Sequence, residues 1–587
     1  MARARRILPA LIGLCVFLLI IGWFYLSAPD YRMLATHAIT ALAFISNMKF
    51  WGEAGYFDTA SHEKLLLHTW SLSVEWQFYI LFPLVLVILW KLVPNRKFIG
   101  LMLIAGFLLS LAISVIMTQR TPVAAFYLLP TRAWEMLAGG LIYFYGQQLS
   151  LNRGLSRLLE IVGFGLIVLS LILFDSSTPW PGYHALVPII GAVLILLAAR
   201  NKSVFTATKP AQWLGKTSYS IYLWHWPFSV ALIFLELTAN WVAILLAIVL
   251  TLIFGWASWA FIEQPVRNGL VKFNKIPQMA LICGTVLVVA LPAFGVRLKE
   301  GVYGRLDPKV DAIFAESLNK NPRITECHVS LNSNVPECIY GGDSLGAIVI
   351  GDSHAQAIIR SVEKALPEKN LHVLDWTLSS CTTIFGIQDL RLGNRFKCGS
   401  FVEKAFEKSR SIPSNIPILI VNRISSAIEG PNEPDRQDLA KYPLRYIKEP
   451  YATRNTEYYE EMQAGITETA CAFAQHRPVY MMRPIPELKI DVPRTMGRAA
   501  MVGRVQRVSV SLEEYEERHR VAWEAQNRAA EACGVTLLDP RPYLCSDGRC
   551  WGDVDGIPVY YDDDHLSERG GQLLIPLFQQ IFTDSIN

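Results

Sequence analysis

Charge is scarce in this sequence. Of 587 residues only 18% are Asp, Glu, Lys or Arg while 52% are hydrophobic, more apolar surface than a wholly soluble chain would bury. What remains is a protein that crosses a membrane, with the lipid bilayer as a partner. Blocks of one sign are lacking too: the net charge is +4 and no basic patch interleaved with aromatics occurs, which argues against nucleic acid as a partner. Cysteine is nearly missing from the first half, where only Cys15 and Cys283 occur; the other eight, Cys327, Cys338, Cys381, Cys398, Cys471, Cys533, Cys545 and Cys550, all follow. They include no Cys-x-x-Cys pair and no matching histidine spacing, so no metal site is expected. Their even number suits disulfides in an oxidising compartment. Proximity suggests 327 with 338, 381 with 398 and 545 with 550, leaving 471 with 533; free buried thiols are the alternative.

The charges that exist are unevenly placed. Long uncharged runs fill the first half, and the stretch after residue 298 has the mixed charge of a globular domain. Crossing a hydrocarbon core of about 30 Å takes about 20 apolar residues. Nine segments qualify, near 7–27, 76–93, 98–118, 132–147, 158–174, 184–199, 217–237, 241–262 and 278–297, and a further amphipathic or re-entrant helix fits 31–51. Lys and Arg concentrate in loops that are inside when the N-terminus is cytoplasmic, as at Arg5, Lys91, Arg96, Lys97 and Lys202, so nine spans leave the C-terminal half outside. The first apolar run could instead be a signal peptide, which leaves that half on the same side.

The stretch "LLLHTWSLSVEWQFYILFPLVLVILW" at 65–90 carries His68 and Glu75 into an apolar run. A carboxylate there costs about 3 kcal/mol unless paired or wetted, which makes it a functional candidate. The alternative is an interfacial Glu75 capping its helix with help from Ser71 or Ser73. Glu135 and His225, also within apolar segments, fit a transporter as a weaker reading.

The first part of that stretch, "LLLHTWSLSVEWQFYILFP", resembles the signature of the acyltransferase family 3 membrane proteins, which O-acylate bacterial surface and secreted carbohydrates. Further matches follow in order: "RRILPAL" at 5–11, "FISNMKFW" at 44–51, "YLLPTRAWEMLAGG" at 127–140, "LGKTSYSIYLWHWPF" at 214–228 and "FIEQPVR" at 261–267. The likeness covers nearly all of residues 1–297. It implies that His68 and Glu75 belong to a functional core at the outer mouth, and that Arg3 and Arg6, spaced like the family's paired arginines, face a cytoplasmic acyl-CoA. No bound cofactor is implied; acetyl-CoA enters as donor substrate. Trp76 stands where the family often has a second Glu. Family members usually begin with two more helices, the first carrying an arginine and a histidine implicated in acyl transfer. This chain begins where the third helix should. That implies an internal start within a longer protein, a partner that supplies the missing helices, or loss of the membrane step.

From Asp343 onward, strands and helices alternate. "LGAIVI", "PILIV", "PVYMMR" and "VTLLDP" read as strands, and "AQAIIRSVEKAL", "TEYYEEMQAGITETACAFAQH" and "LEEYEERHRVAWEAQNRAAEAC" as helices. The pattern predicts a mostly parallel sheet covered on both faces, with ligands at the carboxyl ends of its strands. "GDSHAQ" at 351–356 places Ser353 at a strand-to-helix turn. "YYDDDHLSERGG" at 560–571 places Asp562 three residues before His565, a spacing that lets a carboxylate orient an imidazole. Each motif also has an ordinary reading: a Gly-Asp-Ser turn, and a solvated or calcium-binding acidic turn at Asp562, Asp563 and Asp564. Together they resemble the SGNH (GDSL-like) hydrolase and transferase fold, which implies Ser353 as nucleophile, His565 as base and Asp562 as its orienter. Asn422 is then an oxyanion candidate, although Asn422 and Arg423 could equally be strand-end hydrogen bonders.

The expected fold class is a polytopic α-helical membrane domain over 1–297, a linker and packing layer over 298–345, and an α/β SGNH-type three-layer domain with a mostly parallel sheet over 346–587. The joint resemblance implies a bacterial inner-membrane protein with a periplasmic C-terminal domain. It would pass an acetyl group from cytoplasmic acyl-CoA to a hydroxyl of a carbohydrate acceptor, with lipopolysaccharide O-antigen as the preferred target. The alternatives are an esterase that uses the same triad with water, and an inactive membrane accessory protein.

Overall fold

The computed structural model describes residues 2–54, 61–146, 151–175, 178–200, 203–235, 237–328, 334–434 and 439–583. Lys202, placed above among the inside charges, and residue 147, the end of the fourth expected span, lie outside the described residues. The chain divides into two compact units, Met1–Arg305 and Leu306–Asn587.

The first unit is helical. Six of its helices are long and apolar enough to cross a bilayer: Arg3–Tyr25, Thr69–Leu92, Arg96–Arg120, Arg153–Leu173, Trp241–Leu270 and Lys275–Leu298. The sequence pattern predicts nine. The other three segments do form helices, Leu129–Gly146, Leu186–Ala198 and Lys209–Phe234, but fall short in length or composition. Leu186–Ala198 has 13 residues, and Leu129–Gly146 carries the Arg132–Glu135 ion pair at 2.9 Å. Lys209–Phe234 buries Thr217 and Ser220 within its length. All nine expected segments are thus helical, and among the described residues six of them have the length and composition of a bilayer span. Large apolar side chains such as Ile80 and Leu84 point outward, half exposed, as on helices whose solvent is hydrocarbon. Hydroxyls turn inward, where Ser46 Oγ meets Ser73 Oγ at 2.7 Å. Residues 31–51 fall on two helices, Ala28–Leu42 and Ser46–Glu53, separated at Phe44, whose φ is 54°.

The second unit is built on a six-stranded sheet of β1 (Cys338–Gly341), β2 (Ser344–Gly351), β3 (Leu371–Thr377), β4 (Ile418–Val421), β5 (Val479–Met482) and β6 (Thr536–Leu538). Their order is β1-β3-β2-β4-β5-β6; β1 runs antiparallel to β3 and every other neighbouring pair is parallel. In β2, Ile348, Val349 and Ile350 are all fully buried, because alternate side chains enter two different cores. Val349 packs with Ile358 and Phe578 of the helices Ser353–Ala365 and Ile575–Thr583. Ile348 and Ile350 pack on the opposite face with Phe401, Phe473 and Ala525 of Cys398–Ser409, Thr456–Ala474 and Leu512–Cys533. The three layers follow from that alternation. Residues just past Arg305 already belong to this unit: the helix Pro308–Ala315 seats Phe314 against Gly497, and β1 forms a sheet edge. All four expected disulfides are present, Cys327–Cys338, Cys381–Cys398, Cys471–Cys533 and Cys545–Cys550.

Candidate active site

From β2 the chain crosses to β3 on one side and then to β4 on the other. The carboxyl ends of β2 and β4 therefore open a crevice at a topological switch point, where open α/β sheets bind ligands. Gly351 lets these ends close together: a Cβ there would lie 1.8 Å from the Val421 carbonyl oxygen. Since that neighbour is backbone, Gly351→Ala is expected to lower stability by about 3 kcal/mol through overpacking. Thermal unfolding of the purified chain in detergent reads this; an unchanged midpoint would refute it.

Asp352 and Ser353 follow directly. Asp352 caps the helix Ser353–Ala365, one carboxylate oxygen accepting from His354 N–H at 2.9 Å and the other from Arg423 N–H at 2.7 Å. That brace fixes the turn between the two strands. Ser353 is 4% exposed, and its Oγ lies 2.8 Å from His565 Nε2. On the far side of the ring, Nδ1 lies 2.9 Å from Asp562 Oδ2. Asp562 also accepts from the backbone N–H groups of Asp564 and His565 at 3.1 and 2.8 Å, so it shapes the turn that presents the imidazole. Tyr561 stacks on the His565 ring with centroids 5.1 Å apart. With a carboxylate at Nδ1, the proton sits there and Nε2 is left to accept from the serine hydroxyl, an arrangement able to activate that hydroxyl for attack on a carbonyl.

The sequence pattern offered Arg423 only as a strand-end hydrogen bonder and Asp564 only as part of an acidic turn. Arg423 is 5% exposed, with Nε 3.0 Å from Glu487 Oε1, Nη1 3.3 Å from Glu433 Oε1, and Nη1 also on Asp564. Asp564 Oδ1 lies 2.6 Å from His565 Nδ1. Burial would push the Asp564 carboxyl up, but Arg423 and His565 hold it well below the usual carboxylate range. Burial likewise opposes charge on His565, and Asp562 and Asp564 outweigh it, holding the imidazole well above its ordinary 6.5. The available signal was an arginine directly after a buried apolar strand, since a charge placed so deep needs partners. His354, Asp564 and His565 bring potential metal-ligand atoms within 4.8 Å of one another, but the Arg423 guanidinium already holds the position a cation would take on Asp564.

Asn422 is buried, and both ends of its amide serve a neighbouring loop: Oδ1 accepts from Thr383 N–H at 3.1 Å and Nδ2 donates to Cys381 O at 3.0 Å. One of its two amide hydrogens is thus committed to the loop closed by Cys381–Cys398.

In the first unit, His68 is buried at the head of Thr69–Leu92, its ring 5.3 Å from Tyr222 and 5.6 Å from His225. Glu75 lies beyond the first turn of that helix and does not cap it; Tyr79 O–H donates to its carboxylate. Ser71 instead meets the Tyr222 hydroxyl at 2.6 Å and Ser73 meets Ser46, so neither assists a cap. The Arg3 guanidinium lies 4.5 Å over the Tyr79 ring, so Arg3 and Glu75, expected at opposite mouths, meet through one tyrosine. Arg6 lines a cavity of about 560 Å³ with Lys216, Trp259, Glu263 and Arg267.

Comparison with known proteins agrees with both halves. Residues 1–260 match the family described as acyltransferase domain, and residues 326–580 the family described as SGNH domain (fused to AT3 domains). The peptidoglycan O-acetyltransferase OatA of Listeria monocytogenes serovar 1/2a is 30% identical over 294 residues, covering 46% of this chain and 47% of that protein. BcsY of Komagataeibacter xylinus, named as a membrane-bound transacylase, is 30% identical over 294 residues, covering 49% of this chain and 73% of BcsY. The chain thus spans about half the length of OatA. A solved structure, the periplasmic domain of a Salmonella ser. Paratyphi A lipopolysaccharide acetyltransferase, matches 43% of this chain and 86% of that one at 13% identity and a TM-score of 0.30, a level from which no function follows. The signature around His68, the helical first unit and the paired domain matches together place this chain in the acyltransferase family 3, among the members whose membrane domain is fused to an SGNH domain.

Proposed function

We propose that the protein is a membrane O-acyltransferase that moves an acetyl group from cytoplasmic acetyl-CoA to hydroxyls of a bacterial surface carbohydrate, lipopolysaccharide O-antigen in particular. The single observation that carries this is the Ser353–His565–Asp562 chain at a sheet's switch point. On this reading Ser353 Oγ attacks the acyl carbonyl while its proton passes to His565 Nε2; the bond to the carrier breaks, and the leaving group takes that proton. His565 then removes the proton of the acceptor hydroxyl, whose oxygen forms the new ester as the bond to Ser353 breaks, and the departing Ser353 Oγ takes that proton back from Nε2. Asp562 holds the ring throughout.

Two further features support the direction of transfer. Four disulfides in the second unit suit an oxidising compartment, hence the periplasmic side of an inner membrane. Arg6, Lys216 and Arg267 outnumber the one carboxylate, Glu263, in the first unit's cavity, and with Trp259 as an aromatic wall this lining suits the phosphates and adenine of a coenzyme A donor. The test supplies acetyl-labelled acetyl-CoA to the inner face of sealed inner-membrane vesicles containing the full chain, with O-antigen or peptidoglycan fragments at the other face. Label is expected on the O-antigen. Label on peptidoglycan alone would reassign the acceptor, and release of free acetate irrespective of acceptor would make the protein an esterase.

A further inference from the structure

The reading of Ser353 and His565 as nucleophile and base underlies one further step. We propose that His565 is held by two carboxylates: Asp564, paired with Arg423, is a second positioning residue that shares the imidazole with Asp562.

His565 Nδ1 lies 2.9 Å from Asp562 Oδ2 and 2.6 Å from Asp564 Oδ1. The two carboxylates are not equivalent. The Asp562 side chain is 24% exposed and spends an oxygen on its own turn, whereas that of Asp564 is 4% exposed. A charge shielded from water acts more strongly on its neighbour, so Asp564 is well placed to stabilise an imidazolium. Two carboxylates against one imidazole would repel each other without a counter-charge, and Arg423 supplies it. Arg423 contacts Asp564 through Nη1 while its backbone N–H holds Asp352, the residue before Ser353, at 2.7 Å. One residue therefore ties the turn bearing the serine to the loop bearing the histidine.

The other groups around the imidazole leave this assignment intact. From the helix Ser353–Ala365, His354 sets its ring 4.7 Å from that of His565, with Nε2 3.6 Å from Asp564 Oδ2. His328, ahead of β1, is pushed down to about 4, by burial first and then by the nearby His565, so it is uncharged near neutral pH. Glu487 and Glu433 act on the other side of Arg423. As Ser353 gives up its proton, positive charge develops on a ring flanked by Asp562 and Asp564, and each carboxylate can hold Nδ1–H when the other is removed.

Labelling of Ser353 in the full chain by a fluorophosphonate, followed against pH, tests this without a carbohydrate acceptor. Asp562→Asn is expected to slow labelling by about 10²-fold, and Asp562→Asn with Asp564→Asn together by about 10⁴-fold, the scale of losing the orienting carboxylate outright. Two carboxylates raise the imidazole's pKa, so removing one lowers it and the neutral base persists further into acid. The acid limb of Asp564→Asn should therefore move down by about one pH unit, while Asp564→Glu, which keeps the charge, should leave it near the native position. The proposal is overturned if Asp562→Asn alone costs as much as the double variant, or if Asp564→Asn and Asp564→Glu shift the limb equally. Labelling that survives in Ser353→Ala would instead sink the underlying reading of the nucleophile.

Discussion

Ser353→Ala is expected to reduce transfer of acetyl groups to the acceptor by at least about 10⁴-fold, with the protein still folded and inserted. The expectation follows from the pairing of Ser353 Oγ with His565 Nε2 at 2.8 Å and from the lack of solvent around either group. His565→Ala should cost about as much, and the two together no more, because nucleophile and base act as one unit whose parts have no separate value. Such non-additivity distinguishes a catalytic pair from two residues that merely pack. Transfer that persists in Ser353→Ala above a tenth of the native rate would mean that the acyl group reaches the acceptor without passing through the second unit.

The largest stability effect is expected at Cys471–Cys533. This bond spans 62 residues and joins the helices Thr456–Ala474 and Leu512–Cys533, which supply Phe473 and Ala525 to the core behind Ile348 and Ile350. Closing a loop of that length removes unfolded-state entropy equivalent to about 4 kcal/mol, whereas the Cys545–Cys550 bond, separated by 5 residues, accounts for about 2 kcal/mol. Replacing each pair by serine and comparing thermal midpoints should rank the variants in that order. An equal or reversed ranking would mean that the native helices, rather than loop entropy, decide the outcome.

How much of this was legible in the sequence depends on the range of the interactions involved. β2 and β4 announce themselves as short apolar runs because a strand buried on both faces has no polar positions to interrupt it. The Ser353, Asp562 and His565 cluster is legible because each residue sits in a motif with a recognisable local geometry. Arg423 and Asp564 are not, since the contacts that define them join residues 141 positions apart in sequence, and nothing in "VNRISS" or "DDDH" points to the other. In the first unit, Glu75 and Tyr79 lie one helical turn apart and their pairing is readable. The approach of Arg3 to the same tyrosine is not, because it depends on how two helices pack. The pairing of Arg132 with Glu135, three residues apart on one helix, is readable in the same way as that of Glu75 with Tyr79.

The 212 residues that separate Ser353 from His565 also set a schedule. During synthesis, the serine, its turn and β2 emerge long before the loop that carries His565, so on the proposed reading an incomplete second unit holds an unactivated alcohol. On that reading, activity begins only when residue 565 has been made and folded against strands that have been waiting for it. A ribosome that stalls before residue 565, or a frameshift between β6 and that residue, would then leave an inert protein rather than a leaky one.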